Sequence, residues 1–156
     1  MEISKKELFI LKICVSLIFL VSMIACQSRL FSYRGRTIEP DRRMNLMVDG
    51  SYEGIWETFD LTINYRYEKK AETLQLSGDA ELSDHYKFNY AALRNFFLTL
   101  FFLDDKGKVQ ESELLLNASF SNIDDRFTFN KSLEIPRGTS SIAFYYDIGV
   151  IEELTD

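Results

Sequence analysis

Cysteine is scarce in this chain of 156 residues, and both cysteines, Cys14 and Cys26, lie close to its start. The sequence after Cys26 contains no thiol, which excludes a disulfide, a thiolate nucleophile and a cysteine-ligated metal from that part of the protein. Its stability must therefore come from a hydrophobic core. The aromatic residues, most of which lie in the later part of the chain, supply the material for one.

Residues that carry catalysis are equally sparse. His85 is the one histidine, and it stands in an irregular segment, where a lone histidine is usually just exposed. The chain has no Gly-x-Ser-x-Gly nucleophile elbow, no Gly-x-Gly-x-x-Gly motif and no phosphate-binding Gly-Lys-Ser/Thr motif. We therefore predict that the protein is not an enzyme and has no catalytic residue, cofactor or metal ligand.

Basic residues are outnumbered, with 18 lysines and arginines against 24 acidic residues and a net charge of -6. Without residues 1–25, which contain Lys5, Lys6, Lys12, Glu2 and Glu7, the balance becomes 15 against 22, a net charge of -7. Non-specific nucleic-acid binding needs a basic patch, so nucleic acid is not an expected partner.

The start of the chain has the layout of a secretory signal. Lys5, Lys6 and Lys12 precede an apolar run over residues 13–25, which is shorter than the roughly 20 residues of a transmembrane helix. The run ends in Met23-Ile24-Ala25-Cys26, which resembles the lipobox of bacterial lipoproteins. That class prefers leucine and then a small residue where this chain has Met23 and Ile24, whereas Ala25 and Cys26 fit the pattern.

The resemblance implies that residues 1–25 are a signal peptide and that Cys26 becomes the acylated N-terminus. Two or more acyl chains hold a protein firmly at a membrane, whereas one does not. Gln27, where aspartate would signal inner-membrane retention in Gram-negative lipoproteins, favours the outer membrane, with the domain facing the periplasm. The alternative is an uncleaved signal anchor with the same orientation.

The segment 26–43 has no sustained hydrophobic period and contains five arginines, at positions 29, 34, 36, 42 and 43. We interpret it as a flexible tether between the lipid and a domain of residues 44–156. Its arginines either attract anionic lipid or serve only solubility.

From Met44 onward the apolar residues follow period two, which is typical of half-buried strands. About seven short strands separated by turn signals predict an all-β fold, an antiparallel β-sandwich of immunoglobulin-like size, with a small β-barrel as the alternative. Residues 96–103 are apolar on both faces and should form the central strand. A charge at Leu98 or Leu100 should therefore prevent folding.

Local signals add four further predictions. Asp49-Gly50 should form a hairpin turn that joins residues 46–48 to 52–56, and Gly78 should mark a β-bulge. Residues 90–94 should form a short helical turn in a connection between the sheets. The acidic pairs at 104–105 and 124–125 are read as turns rather than calcium sites, because Asp and Asn favour turns for local hydrogen bonding.

The candidate ligand-binding residues are the tyrosines expected to be exposed: Tyr86 and Tyr90 in the long connection, and Tyr145 on the outer face of the last strand. The leading functional hypothesis is a non-enzymatic, lipid-anchored envelope protein that binds or scaffolds another envelope component, its partners being the membrane and an envelope protein. A glycan-binding or small-ligand module that uses the loop aromatics is the alternative. A glycosidase with paired carboxylates is a third hypothesis.

Overall fold

The computed structural model describes residues 33–152 of the chain, and the predicted signal peptide and Cys26 lie outside this range. The described residues form two four-stranded antiparallel sheets that are not closed into a barrel. The predicted sandwich is confirmed, and the barrel alternative is wrong. The elements are β1 (Met44–Asn45), β2 (Gly50–Glu57), β3 (Leu61–Lys70), β4 (Thr73–Leu82), α1 (Asp84–Asn89), β5 (Ala92–Leu103), β6 (Val109–Ser119), β7 (Phe127–Glu134) and β8 (Ser141–Ile151), with a 3-10 turn at Pro40–Arg42.

The chain crosses between the two sheets four times, after β1, β4, β6 and β7. Sheet 1 has the order β1-β8-β5-β6, and sheet 2 has the order β2-β3-β4-β7. The connection 83–91, which carries α1, takes the chain from β4 in sheet 2 to β5 in sheet 1, as the break in the period-two pattern predicts.

Strand β5 lies at the centre of sheet 1, between β8 and β6, as its doubly apolar sequence predicts. Leu98 and Leu100 on its inner face are fully buried in the core shared by the two sheets. Phe101 and Leu103, which alternate with them, are also fully buried. Burial on both faces explains why this strand has no polar face.

Two local predictions fail for the same reason, which is pairing to a distant strand. Residues 46–48 do not form a hairpin with β2, because Met44 pairs with Ile142 of β8 in the other sheet. Residues 90–94 are not helical either. The helical turn lies earlier, at Asp84–Asn89, and β5 pairs with β8 from Ala92 onward.

Gly78 is not a bulge, because the register from β3 through β4 to β7 is continuous across it. A Cβ atom there would meet the carbonyl oxygen of Asn64 and would lie 2.7 Å from the ring of Phe129. Glycine is therefore required by the close approach of its neighbours. The irregularities of the fold lie instead in the pairing of β5 with β6 and β8.

The turns formed by acidic residues are confirmed. Asp104 accepts backbone hydrogen bonds from Lys106 (2.9 Å) and Lys108 (2.8 Å), which lower the pKa of its carboxyl group. Gly107 takes the left-handed φ of +76° that this turn requires. In the second pair, the Asp125 carboxylate accepts from the Asn122 amide at 3.2 Å, and the Asn122 side chain accepts from Asp124.

Residues 35–43, assigned above to the tether, are attached to the domain. Gly35 donates to Val109, Ile38 donates to Gly107, and Val109 donates to Arg36, so this segment lies along the turn between β5 and β6. The Arg43 guanidinium hydrogen bonds the Ile38 carbonyl. Residues 35–43 are therefore not part of a flexible tether, and residues 26–32 of the predicted tether lie outside the described range.

Candidate functional site

The two ends of the sandwich carry different loops. One end, called here the N-terminal end, gathers residues 35–38, 71–72, 104–108 and 135–140. The opposite end, called the α1 end, gathers residues 58–60, 83–91 and 120–126. Hydrogen bonds tie its loops together, since Ser83 donates to Asp60 and Leu93 donates to Ser121.

Three exposed phenylalanines lie on three separate loops of the α1 end. Phe59 is 76% exposed, Phe88 is 84% exposed and Phe120 is 80% exposed. Phe120 also has a left-handed backbone with φ of +53°, which is unusual for a bulky residue. Large exposed apolar groups gathered in one region mark interaction surfaces more often than they serve stability.

An aromatic cluster accompanies these residues. The His85 ring lies 5.3 Å from Phe59, 5.6 Å from Tyr86 and 6.2 Å from Tyr90, measured between ring centroids. Tyr86 and Tyr90 are 5.6 Å apart and half-buried against the core. Two of the three predicted ligand tyrosines are therefore brought together, with His85 and Phe59 as additional members.

Asp60 fixes this cluster to the sheets. The Tyr146 hydroxyl donates to the Asp60 carboxylate at 2.6 Å, linking β8 to the turn between β2 and β3. Burial, and then the negative charge of Asp60, raise the pKa of Tyr86 to about 12. Burial, and then the hydrogen bond to Asp60, raise the pKa of Tyr146, so both phenols stay neutral at ordinary pH.

An ion pair from Lys87 to Glu81 holds α1 against the end of β4, and Arg126 adds two further ion pairs to the same strand. Lys87 contacts Glu81 at 2.7 Å, and Arg126 contacts Glu81 at 3.2 Å and Asp79 at 3.6 Å. The hydrogen bond from Lys87 is the main cause of the lowered pKa of Glu81. These groups are partly exposed, so their role is to orient α1 more than to stabilise the fold.

Tyr145 lies away from this cluster. Its ring stacks on Phe101 of β5 at 5.4 Å, on the outer face of sheet 1. Tyr146 next to it points between the sheets toward Asp60, and adjacent strand residues point to opposite faces. Tyr145 therefore cannot join Tyr86 and Tyr90 in one binding surface.

The remaining chemistry of the described residues is structural. The His85 Nδ1 atom lies 3.3 Å from the Asn89 side-chain nitrogen, and residues 33–152 supply no carboxylate or hydroxyl partner to the ring. Across the same range, no three His, Cys, Asp or Glu side chains are placed to hold a metal ion. The two acidic pairs lie in turns at opposite ends of the sandwich.

An open groove of about 530 Å³ crosses the outer face of sheet 2. Its lining mixes polar and apolar surface, with Glu53, Asn64, Arg66 and Asp79 beside Ile55 and Tyr65. The groove is open, whereas a typical small-ligand site is enclosed.

Sequence reasoning missed the three exposed phenylalanines. Phe59 lies inside a turn, in Thr58-Phe59-Asp60, and Phe120 directly follows a strand. An aromatic residue at a turn position is therefore the sequence signal that could have indicated these two sites. That signal is weak without the structure, because period-two patterns cannot show which loops share an end of a sandwich.

Comparison with known protein families, curated proteins and solved structures finds no match for this chain. Among residues 33–152, no helix has the length and apolar character needed to cross a membrane.

Proposed function

We propose that this protein is a non-catalytic, lipid-anchored component of a bacterial cell envelope whose β-sandwich binds another envelope component through its α1 end. The observation that carries the proposal is the gathering of Phe59, Phe88 and Phe120 on three loops of that end. Loops on a rigid scaffold are where binding residues concentrate, and exposed apolar patches are common at protein interfaces.

The position of Cys26 in the sequence supports an orientation in which the α1 end faces away from the membrane. If Cys26 carries the lipid, the eight residues to Arg34 span at most about 28 Å, so the N-terminal end stays near the membrane. Strand β5 has twelve residues, which is about 40 Å of extended chain. The α1 end then lies on the far side of the domain, where other envelope components can reach it.

The engagement of the polar groups supports a non-catalytic role. Asp104 and Asp125 accept backbone hydrogen bonds within turns, and Glu81 is paired with Lys87 and Arg126. These carboxylates act as structural acceptors. Their hydrogen bonds lower the pKa of Asp104 and of Glu81, whereas a general acid needs a raised pKa.

The first experiment tests the anchor by the intact mass of the protein from its native membrane, beside a Cys26→Ala variant. We expect a chain that begins at Cys26 and carries acyl chains, and we expect both features to be lost in the variant. An uncleaved chain would make the apolar segment a membrane anchor. A cleaved chain without lipid would contradict membrane tethering.

The second experiment tests the α1 end. A triple variant, Phe59→Ser with Phe88→Ser and Phe120→Ser, should lose chemical cross-linking to its partner in native membranes while keeping the thermal midpoint of the domain. Val48→Ser is the matched control, because Val48 is 78% exposed but lies near the N-terminal end. Equal cross-linking in the triple variant and the wild type would refute the placement.

A glycan-binding or small-ligand module is the alternative, and the cluster of Phe59, His85, Tyr86 and Tyr90 is the observation that favours it. Aromatic rings half-exposed on loops can stack on a sugar ring. Tyr90→Ala should then abolish a hit in a glycan screen, whereas Tyr145→Ala should not. A screen without any hit would leave protein binding as the supported role.

A further inference from the structure

Within residues 33–152, strand β8 has a free edge over most of its length. Its partner on one side is β5, from Ser141 to Ile151, but on the other side β1 pairs only with Ser141 and Ile142. Beyond that point, through Val150, the described residues place no strand beside β8.

The alternation of hydrogen bonds along β8 shows which backbone N–H and C=O groups point toward the free edge. Leu46 donates to the carbonyl of Ser140, and Ile142 faces β1, so the even-numbered residues of β8 point toward this edge. The N–H and C=O groups concerned belong to Phe144, Tyr146, Ile148 and Val150. Residues 33–152 supply no hydrogen-bond partner to these backbone groups.

The side chains beside the edge are apolar on the inner face. Phe144 belongs to the core, and Tyr146, Ile148 and Val150 are half-buried against it. Trp56 of β2 lies 5.7 Å from Phe144 and 6.1 Å from Tyr146. An unprotected edge of this length and character is a template for an added strand.

Strand β1 shows what such a strand would look like. At the proximal end of the same edge, Met44 and Leu46 pack on the core while Asn45 between them is exposed. An added strand would continue this line and would place alternate apolar residues next to Trp56 and Ile148.

The charge at the centre of the edge selects the occupant. Asp147 is exposed on the outer face, midway between Phe144 and Val150. Antiparallel pairing with a second copy over this whole stretch would set Asp147 opposite Asp147, and like charges directly opposite each other are destabilising. A basic residue at that position would be favourable.

We propose that the β8 edge from Phe144 to Val150 binds an extended segment of another protein, with alternating apolar residues and a basic residue opposite Asp147. This surface is separate from the α1 end, so loss of binding in the phenylalanine variants neither supports nor refutes it.

The test uses the full chain in detergent micelles and an acetylated nine-residue peptide with valine at alternate positions, lysine at its centre and threonine elsewhere. We expect saturating peptide to slow hydrogen exchange in fragments covering residues 144–150 by at least about tenfold, because ladder hydrogen bonds replace water. Fragments from the opposite edge strand, β6, should be unaffected.

Two matched comparisons, one of methylated peptides and one of protein variants, distinguish strand addition from non-specific adhesion of the peptide. Methylating the valine amides, which face β8, should weaken binding at least about tenfold, because each methyl group removes a hydrogen bond of the ladder. Methylating the threonine amides, which face away from β8, should leave the affinity unchanged. Asp147→Asn should weaken binding about 1.5- to fivefold, the range of a cross-strand charge pair, whereas Glu111→Gln on β6 should not.

Three results would overturn the proposal. One is unchanged exchange at residues 144–150 with peptide at millimolar concentration. Another is equal binding of the two methylated peptides. The third is a concentration-dependent dimer of the protein alone with these amides already protected, which would assign the edge to a second copy of the chain.

Discussion

Replacing Leu98 by alanine should destabilise the domain far more than the same change at Leu114 on the neighbouring strand. Leu98 is fully buried at the centre of β5, whereas Leu114 of β6 is 40% exposed. Buried Leu→Ala changes cost about 2.7–5.0 kcal/mol, because the transfer energy of the lost atoms adds to the energy of the cavity. Leu114→Ala leaves little cavity, so we expect a cost below about 1 kcal/mol.

Urea unfolding measures this difference, and the single tryptophan provides the signal. Trp56 packs edge-on against Phe144 between the sheets, so its fluorescence should change when they separate. With a slope near 1.5 kcal/mol per molar urea, a loss of about 3 kcal/mol lowers the midpoint by about 2 M. The midpoint for Leu114→Ala should fall by less than about 0.7 M on the same slope.

Equal midpoint shifts in the two variants would refute the placement of β5 at the core centre. A stronger version is Leu98→Asp, which buries an unpaired charge at a cost close to the whole stability of a domain, about 5–15 kcal/mol. A soluble Leu98→Asp protein that unfolds cooperatively would contradict the same reasoning.

Three further predictions follow from local geometry. Ala71 has a left-handed φ of +51°, so Ala71→Gly should raise the thermal midpoint by relieving up to about 1 kcal/mol of strain, whereas Glu72→Gly should lower it. Because the pKa of Tyr86 is raised, the stability that this residue contributes is present below pH 10 and is lost as the pH rises through about 12. In an absorbance titration, Asp60→Asn should lower the pKa of the last tyrosine to titrate. An unchanged titration curve would contradict the influence of Asp60. Asp147→Pro should destabilise the fold by about 1–3 kcal/mol more than Ile148→Pro. Of these two residues, only Asp147 directs its N–H toward β5, so only its replacement removes a ladder hydrogen bond. Equal losses of stability in a denaturation series would mean that the β8 edge is not free.

Much of the fold follows from local patterns. The alternation of Leu61, Ile63 and Tyr67 marks β3, the doubly apolar run at Phe96 marks a central strand, and Asp104 to Gly107 marks its turn. Each of these features depends on neighbours a few residues apart, so periodicity and turn chemistry are sufficient to reveal it.

The errors share a different cause. Asp49-Gly50 has the composition of a hairpin turn, yet its carboxylate instead accepts from Lys69 at 2.8 Å and from the Ala71 amide at 3.0 Å. Gly78 has the composition of a bulge, yet it exists to admit the Phe129 ring. In both cases a residue distant in sequence decides the role, and a single sequence does not contain that information.

The candidate sites also fall into two groups, those predictable from local sequence and those that depend on the tertiary structure. The prediction of an N-terminal signal with Cys26 and the shortage of catalytic motifs both come from the order of residues alone, because both depend on local composition. The meeting of Phe59, Phe88 and Phe120 at one end, the separation of Tyr145 from Tyr86, and the free edge of β8 depend on the order of strands in two sheets. Strand order is set by long-range packing and hydrogen bonding, so only the tertiary structure could decide these surfaces.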